Sequence, residues 1–563
     1  MNRNFELFRK AIRALTFKEK LLVHFFGLVL IGTIAIFTWN FYGGLNKSPR
    51  IVDGGTYNEG LVGSVKILNP LYTDFNNVDR DISQLIFSGL TRYDPLSRDF
   101  VADLATYTLS DDEKKYVFTL RDGIKWHDDT PLTVDDIIFT YKDVIQNKDF
   151  QNSVLKANFS GVEIVKENEK QVSFTVNEPN NFFITNTNVG ILPKHIFVDT
   201  EVKDLMKYSS TLKPIGSGPF VVESGPKDNG DLTTVNLSRF EDYYGEKPKI
   251  EKVRFLVYPA GELLYKNTSQ LHGISKLTEN DLANLDDKER FTLYEYTLPQ
   301  YMAVFFNFDS ALMKNKNMRI AAMKSIDKKI ILEEIKGKEI IDNPLLDLDQ
   351  SEWFFKPSLE EAKGALFGLG WNIDKDATED KARTNAKGDK LVLTLITHEL
   401  PTGHPAQVET EKLIGLLKEQ WLEAGIEIRD EYYILTELED KIKKREYDML
   451  LTGVNMGYNL DIYAYWHSSQ AKAEGLNFSN FRSFEADAII ENLRQAFVKD
   501  EKYEEAQKKL RKVISDDFPA VFLYSPKFYA AIDNRINNVN IKNLAFPADR
   551  FAYFNNWYIK EGR

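Results

Sequence analysis

The sequence predicts an α/β fold of several domains behind one N-terminal transmembrane helix. Three observations carry that expectation. Residues 21–42, LLVHFFGLVLIGTIAIFTWNFY, hold no charge apart from a protonatable His24, and about 20 apolar residues are what a bilayer crossing requires. Residues 116–144 read as a β-hairpin feeding a capped helix. Residues 391–452 alternate strand and helix patterns, which implies a lobe built on a parallel sheet.

Composition narrows the function. The chain has 563 residues, room for about three or four domains. Its net charge of −12 argues against nucleic acid as a partner, since phosphate binding needs a basic surface. The absence of cysteine excludes disulfides, thiolate metal sites, cysteine nucleophiles and a lipid-acceptor cysteine. A high aromatic content suits heavy cores or a stacking cleft.

At the N-terminus, residues 1–20 carry Arg3, Arg9, Lys10, Arg13, Lys18 and Lys20 against Glu6 and Glu19. This basic flank places the N-terminus in the cytoplasm. Trp39 and Tyr42 stand at the far end of the apolar run, where amphipathic rings favour the headgroup zone. The run is longer than a signal-peptide core and no A-x-A site follows it, so an uncleaved anchor at 21–42 is expected. Residues 43–49, GGLNKSP, form a linker, and everything beyond lies outside the cytoplasmic membrane.

Further along, a helix at about 80–87 presents Ile82, Leu85 and Ile86 on one side. The segment YVFTL, 116–120, alternates like a half-buried strand. Asp122-Gly123 turns it, Ile124-Lys125-Trp126 returns, and Thr130-Pro131 breaks the chain. Thr133-Val134-Asp135-Asp136 is a capping box for a helix burying Ile137, Ile138, Tyr141 and Val144. Strands are expected at 391–397, 426–434 and 447–452, and helices at 406–424, stopped by Gly425, and at 437–444. A closing strand covers 519–526.

The run LRDGIKWHDDTPLTVDDI, 120–137, resembles the signature of the family 5 extracellular solute-binding proteins, the peptide- and nickel-type receptors of ATP-binding cassette importers. Leu68-Asn69-Pro70, Gly89-Leu90-Thr91-Arg92-Tyr93-Asp94, Ile191-Leu192-Pro193-Lys194-His195, Gly216-Ser217-Gly218-Pro219-Phe220 and Tyr243-Tyr244-Gly245-Glu246-Lys247-Pro248 resemble further family motifs. So does Tyr463-Ala464-Tyr465-Trp466-His467-Ser468-Ser469-Gln470. Asp129 departs from the usual glycine and can adopt a left-handed turn at modest cost; Val134 departs from alanine. The resemblance implies a two-lobed periplasmic-binding-protein-like fold, type II, of the large peptide-binding class. Lobe I would comprise 50–75, 210–298 and 519–563, with an inserted domain II at 76–209 and lobe II at 299–518.

It also implies where a ligand sits. The loop after the 447–452 strand, with Asn455, Met456 and Tyr458, lies at the carboxyl end of a parallel strand, the usual ligand position in open α/β sheets. Peptide-binding relatives place an aspartate in this loop against the ligand's ammonium, yet no acidic residue lies between Gly453 and Asp461 here. Either Asp461 substitutes, the ligand lacks an amine there, or another segment supplies the charge. For Asp461 a structural turn carboxylate is the competing role. Tyr72, Asp74 and Asn76 would line the cleft from lobe I or form a solvated loop. Trp466 reads as core packing under the loop, with ligand stacking as its other role.

No histidine pair has metal-ligand spacing, and neither G-x-S-x-G nor H-E-x-x-H occurs. The expected protein is therefore a monomeric, non-catalytic receptor with no cofactor and no metal. It captures oligopeptides or similar small solutes and delivers them to permease subunits of the transporter. Binding of a metal chelate or oligosaccharide, or an anchored sensor without transport, are the alternatives.

Overall fold

One continuous sheet joins the two halves of the molecule. The computed structural model describes residues 16–45, 53–209, 213–346, 356–373, 381–401, 405–497 and 500–560. The basic residues of 1–15 and linker positions 46–49 lie outside these.

Among the described residues the sheet has twelve strands. Its second half orders Glu427–Tyr433, Val392–His398, Met449–Asn455 and Gln300–Phe306. The first half orders Gly273–Leu277, Thr56–Val62, Lys252–Tyr258, Leu232–Arg239 and Phe220–Asn229. Between them runs the long strand Ala520–Asp533, pairing with Gln300–Phe306 through residues 520–524 and with Phe291–Thr297 through 527–533. Two crossings thus connect the halves: this strand, and the bend at Leu298-Pro299 between its two partners.

The long strand differs from the expected 519–526 closure, because it continues past Pro526 to Asp533. Proline lacks a ladder N–H, but the strand tolerates it where its partner changes from one half to the other. The expected parallel core is present: Val392–His398 pairs in parallel with both Glu427–Tyr433 and Met449–Asn455. The helix Pro405–Ala424 connects two of these strands, and Gly425 stops it at φ +97°, a conformation in which glycine carries no steric cost.

A four-stranded antiparallel sheet, Ala105–Leu109, Lys115–Leu120, Gln171–Thr175 and Glu163–Asn168, stands apart. The hairpin-and-cap motif packs on it. Asp129 takes φ 69°, the left-handed turn that an aspartate can adopt at modest cost. The Asp136 carboxylate accepts the Thr133 amide at 2.8 Å and, through its other oxygen, the Lys194 amide at 2.9 Å. After Ile138 the helix widens into a π-helical turn over Phe139–Ile145. Ile137, Tyr141 and Val144 are buried as expected, whereas Ile138 is only partly covered. In the first half, Ile82, Leu85 and Ile86 of the helix Asn77–Ile86 pack inward with Phe220, Val235 and Phe255.

The predicted anchor segment is helical over Phe17–Leu45. No helix among the described residues is long and apolar enough to cross a membrane; side chains of Lys20, Val23, His24 and residues 39–45 lie outside the description.

Candidate functional site

The strand Met449–Asn455 ends where the two halves meet. Gly453 pairs with Met302, and the Met456 amide donates to Pro299 O at 2.9 Å, so the following loop is fastened to the crossing. Asn455 Oδ1 accepts the Gly457 amide at 3.0 Å, closing a tight turn in which Gly457 has φ +55°. A Cβ at Gly457 would come within 2.6 Å of the Phe546 ring. Glycine is therefore required twice, by its conformation and by the approach of the C-terminal segment.

Tyr458 crosses to the first half. Its hydroxyl donates to Asp549 Oδ1 at 2.6 Å. Its ring centroid lies 4.7 Å from Phe546, 5.4 Å from Tyr93 and 5.7 Å from Phe100. Asp549 Oδ2 accepts the amides of Ala545 at 2.9 Å and Phe546 at 2.7 Å. Burial pushes the Asp549 carboxyl up to about 6, with the Tyr458 hydrogen bond and the two amides opposing it. Burial likewise raises the Tyr458 phenol, and the neighbouring Asp549 charge adds to this. The Arg80 guanidinium lies 3.7 Å over the Phe546 ring, a cation–π contact.

A second junction lies at the end of the helix Phe484–Gln495. The Asn181 amide donates to Arg494 O at 2.8 Å, and its Nδ2 donates to Leu493 O at 2.9 Å. These bonds satisfy carbonyls that a helix terminus leaves open. Arg494 in turn pairs with Asp461 through Nε at 2.9 Å and lies 4.4 Å over the Tyr463 ring.

The predicted site residues divide accordingly. Asn455, Met456 and Tyr458 meet at the junction. Asp461 faces Arg494 and accepts the Tyr463 amide at 2.9 Å, the turn-and-pair role. Burial raises its pKa and Arg494 opposes the rise. Trp466 is fully buried among Phe305, Phe481 and Phe522. Tyr72 is 1% exposed, its ring 5.7 Å from Phe150. Asn76 caps the Asn77–Ile86 helix through Val78 N at 3.2 Å and donates to Ser64 O at 2.7 Å. The Asp74 side chain lies outside the described residues.

Arg80, Phe546 and Asp549 were not expected at the site. The FPAD run, 546–549, signals a cap whose aspartate bonds the Phe546 amide, but no local pattern reveals that its other oxygen meets a loop 91 residues away. No group of three or more His, Cys, Asp or Glu able to hold a metal occurs among the described residues.

The junction therefore joins the two halves through the two crossings and through the contact of Tyr458 with Asp549. This arrangement has known counterparts. The oligopeptide-binding protein AppA of Bacillus subtilis is 25% identical over 510 residues, covering 86% of this chain and 88% of its own. The solved structure of AppA from Bacillus subtilis with a nonapeptide superposes with a TM-score of 0.67 at 22% identity, over 91% of this chain and all of that one. NikZ from Campylobacter jejuni with Ni(L-His) gives a TM-score of 0.68 at 20% identity, over 89% of this chain and 99% of that one. These structures share the α/β periplasmic-binding-protein-like fold. The profile of the bacterial extracellular solute-binding proteins, family 5, matches residues 99–475. With that match spanning well over half its length, the chain belongs to the family 5 bacterial extracellular solute-binding proteins.

Proposed function

We propose that this chain is the monomeric, non-catalytic receptor of an ATP-binding cassette importer, taking up oligopeptides or peptide-like solutes by closing its two lobes. The observation that carries the reading is the bond from Tyr458 to Asp549, which joins a loop at the carboxyl end of a parallel strand to the opposite half. Ligands of open α/β sheets bind at such strand ends, and hinge closure about two crossings brings such contacts together. The relative named as oligopeptide-binding supports the ligand class. The lobes would follow the boundaries given above, with Tyr72, Asp74, Asn76, Asn455 and Met456 nearest the ligand.

The apolar run 21–42, within the helix Phe17–Leu45, is proposed as the membrane anchor. Its apolar side chains Leu21, Phe25, Leu28, Leu30 and Ile34 are exposed, which supports the reading. If the mature N-terminus, sequenced from cells, begins after Tyr42, the anchor is cleaved and this part fails.

A second reading is a solute without a free amine, such as a metal chelate. It is favoured by the loop itself, which has no carboxylate from Gly453 to Leu460, and by the commitment of Asp461 to Arg494. Mass spectrometry of solutes released by denaturing the detergent-purified full chain separates the two. A ladder of short peptides supports the first; a single chelate or sugar supports the second.

A further inference from the structure

The large sheet has two outer edges, and they differ. One, the strand Phe220–Asn229, slips twice in register against its neighbour and carries Pro226. Such features blunt an edge against stray pairing. The other, Glu427–Tyr433, keeps an unbroken register with Val392–His398 and holds neither proline nor glycine. Among the described residues no strand pairs with its outer side.

The backbone groups left open there follow from the pairing. The Glu427 amide donates to Leu391 O at 3.0 Å, and Tyr433 O accepts the Glu399 amide at 2.7 Å, so the odd-numbered residues bond inward. Backbone groups alternate sides along a strand. The N–H and C=O of Ile428, Asp430 and Tyr432 therefore point outward, without a main-chain partner among the described residues.

A groove of about 470 Å³ lies beside this edge, between it and the helix Pro405–Ala424. That volume falls in the range of ~300–1,000 Å³ usual for binding pockets. Ile414, Leu422 and Ile428 give it an apolar lining. Gly415 keeps it open, for nothing lies within 4 Å of where its Cβ would stand. Glycine inside a helix weakens the helix, and no neighbouring atom here requires it.

The charge of the groove has a sign. Lys418 is held by Asp430 at 2.5 Å. Glu411, Glu419 and Glu427 also line it and form no ion pair among the described residues, which leaves it acidic. A second copy of the chain would set the same acidic rim against itself, and like charges across paired strands repel.

We propose that this groove docks a basic, extended segment of a partner protein, which adds to the sheet as its next strand. The outward N–H and C=O groups of Ile428, Asp430 and Tyr432 would pair with its backbone. Apolar side chains would enter the groove over Gly415, and lysine or arginine would meet the three glutamates. Strand addition beside a helix is a known mode of peptide recognition. The groove shares no residue with the Tyr458–Asp549 junction, so the inference goes beyond the receptor reading and does not depend on it.

The test uses the detergent-purified full chain and a capped ten-residue peptide of alternating valine and lysine, labelled for fluorescence anisotropy. One comparison peptide replaces lysine by glutamate; another carries a methyl group on every backbone nitrogen. Both are expected to bind at least about 10-fold more weakly than the lysine peptide, the loss of one or two hydrogen bonds or ion pairs. Gly415→Trp fills the groove and should weaken the lysine peptide about 10-fold or more. Gly415→Ala keeps the room and should melt at or above the wild-type temperature. Glu411→Lys and Glu419→Lys should each cost the lysine peptide about 2- to 5-fold, more at low salt, and favour the glutamate peptide. Solute recovered from the purified chain should bind wild type and Gly415→Trp alike, so the receptor reading stands or falls separately.

Equal binding of the lysine and glutamate peptides, binding that Gly415→Trp leaves unmoved, or binding of none of the probes overturns the proposal. So does a wild-type dimer that Gly415→Trp abolishes, which would give the groove to a second copy.

Discussion

The Tyr458 hydroxyl donates to the Asp549 carboxylate across 2.6 Å, and the two residues belong to opposite halves of the sheet. Removing that hydroxyl leaves the Tyr458 ring and the backbone in place. Tyr458→Phe is expected to weaken the closed form by about 1.5–3 kcal/mol, the usual contribution of a hydrogen bond to a charged group. The distance between spin labels on the two halves reads this directly, as a smaller closed population.

The same pair makes closure sensitive to pH. Burial pushes Asp549 up to about 6 in this structure, above its ordinary 3.8, and on the proposed opening of the lobes the carboxyl would meet water. Between those values the closed form holds a proton that an opened, solvated carboxylate does not. Closure therefore takes up a proton: it is favoured at pH 4–5 and weakens as pH rises through about 6. Asp549→Asn should flatten that dependence. Asp103, also pushed up to about 6 by burial, remains in both proteins, so the difference between them isolates Asp549.

Arg550 lies fully buried between Glu59 and Asp81. Taking away the cation strands two carboxylates in the core. Arg550→Met is expected to destabilise the fold by about 3–5 kcal/mol, the range for breaking one side of a buried ion pair. Urea unfolding checks it, and a loss below 1 kcal/mol, about what an exposed pair contributes, would show that the site admits water.

Much of the fold was legible because its signals are local. The Gly425 stop, the left-handed turn at Asp129 and the inward row Ile82, Leu85 and Ile86 follow from conformation and spacing within one element. The site was legible only in part. Asn455, Met456 and Tyr458 sit on a loop whose place follows from the strand before it. Their partners Phe546 and Asp549 come from the far end of the chain, and a contact across 91 residues leaves no periodic trace. The slip of the strand Gly273–Leu277 between Ile274 and Leu277, where Lys276 takes φ 58°, was hidden for a related reason: lysine carries no preference for positive φ, so the slip depends on the neighbouring strands.

Trp466 tests the division between site and core. It is fully buried against Phe305, Phe481 and Phe522. Trp466→Ala should cost about 3–5 kcal/mol of stability through the cavity it opens. Ligand affinity measured well below the melting temperature should stay within about 3-fold of wild type, less than 1 kcal/mol. A large affinity loss with unchanged melting would instead assign Trp466 to the cleft.

His127 ties the hairpin motif to the segment that re-enters the first half. Its Nδ1 accepts the Gly216 amide at 3.2 Å, so Nε2 carries the proton shared with Gly218 O at 3.0 Å. Burial holds the ring down at about 4, below its ordinary 6.5. The unfolded chain therefore binds a proton between pH 6.5 and 4 that the folded one does not, and stability falls as pH drops through that window. His127→Gln should lose less stability than wild type between pH 6.5 and 4, as read from urea midpoints.

Closure around a solute is the central claim, and the absence of native cysteine makes it directly measurable. Lys227 on the Phe220–Asn229 strand and Lys443 on the Leu435–Lys444 helix are both exposed. Spin labels on Lys227→Cys and Lys443→Cys report the separation of the two halves by pulsed electron resonance. Adding the solute recovered from the purified chain is expected to convert a broad or two-peaked distance distribution into one narrow peak. An unchanged distribution, in a sample that calorimetry shows to be saturated, would contradict capture by lobe closure.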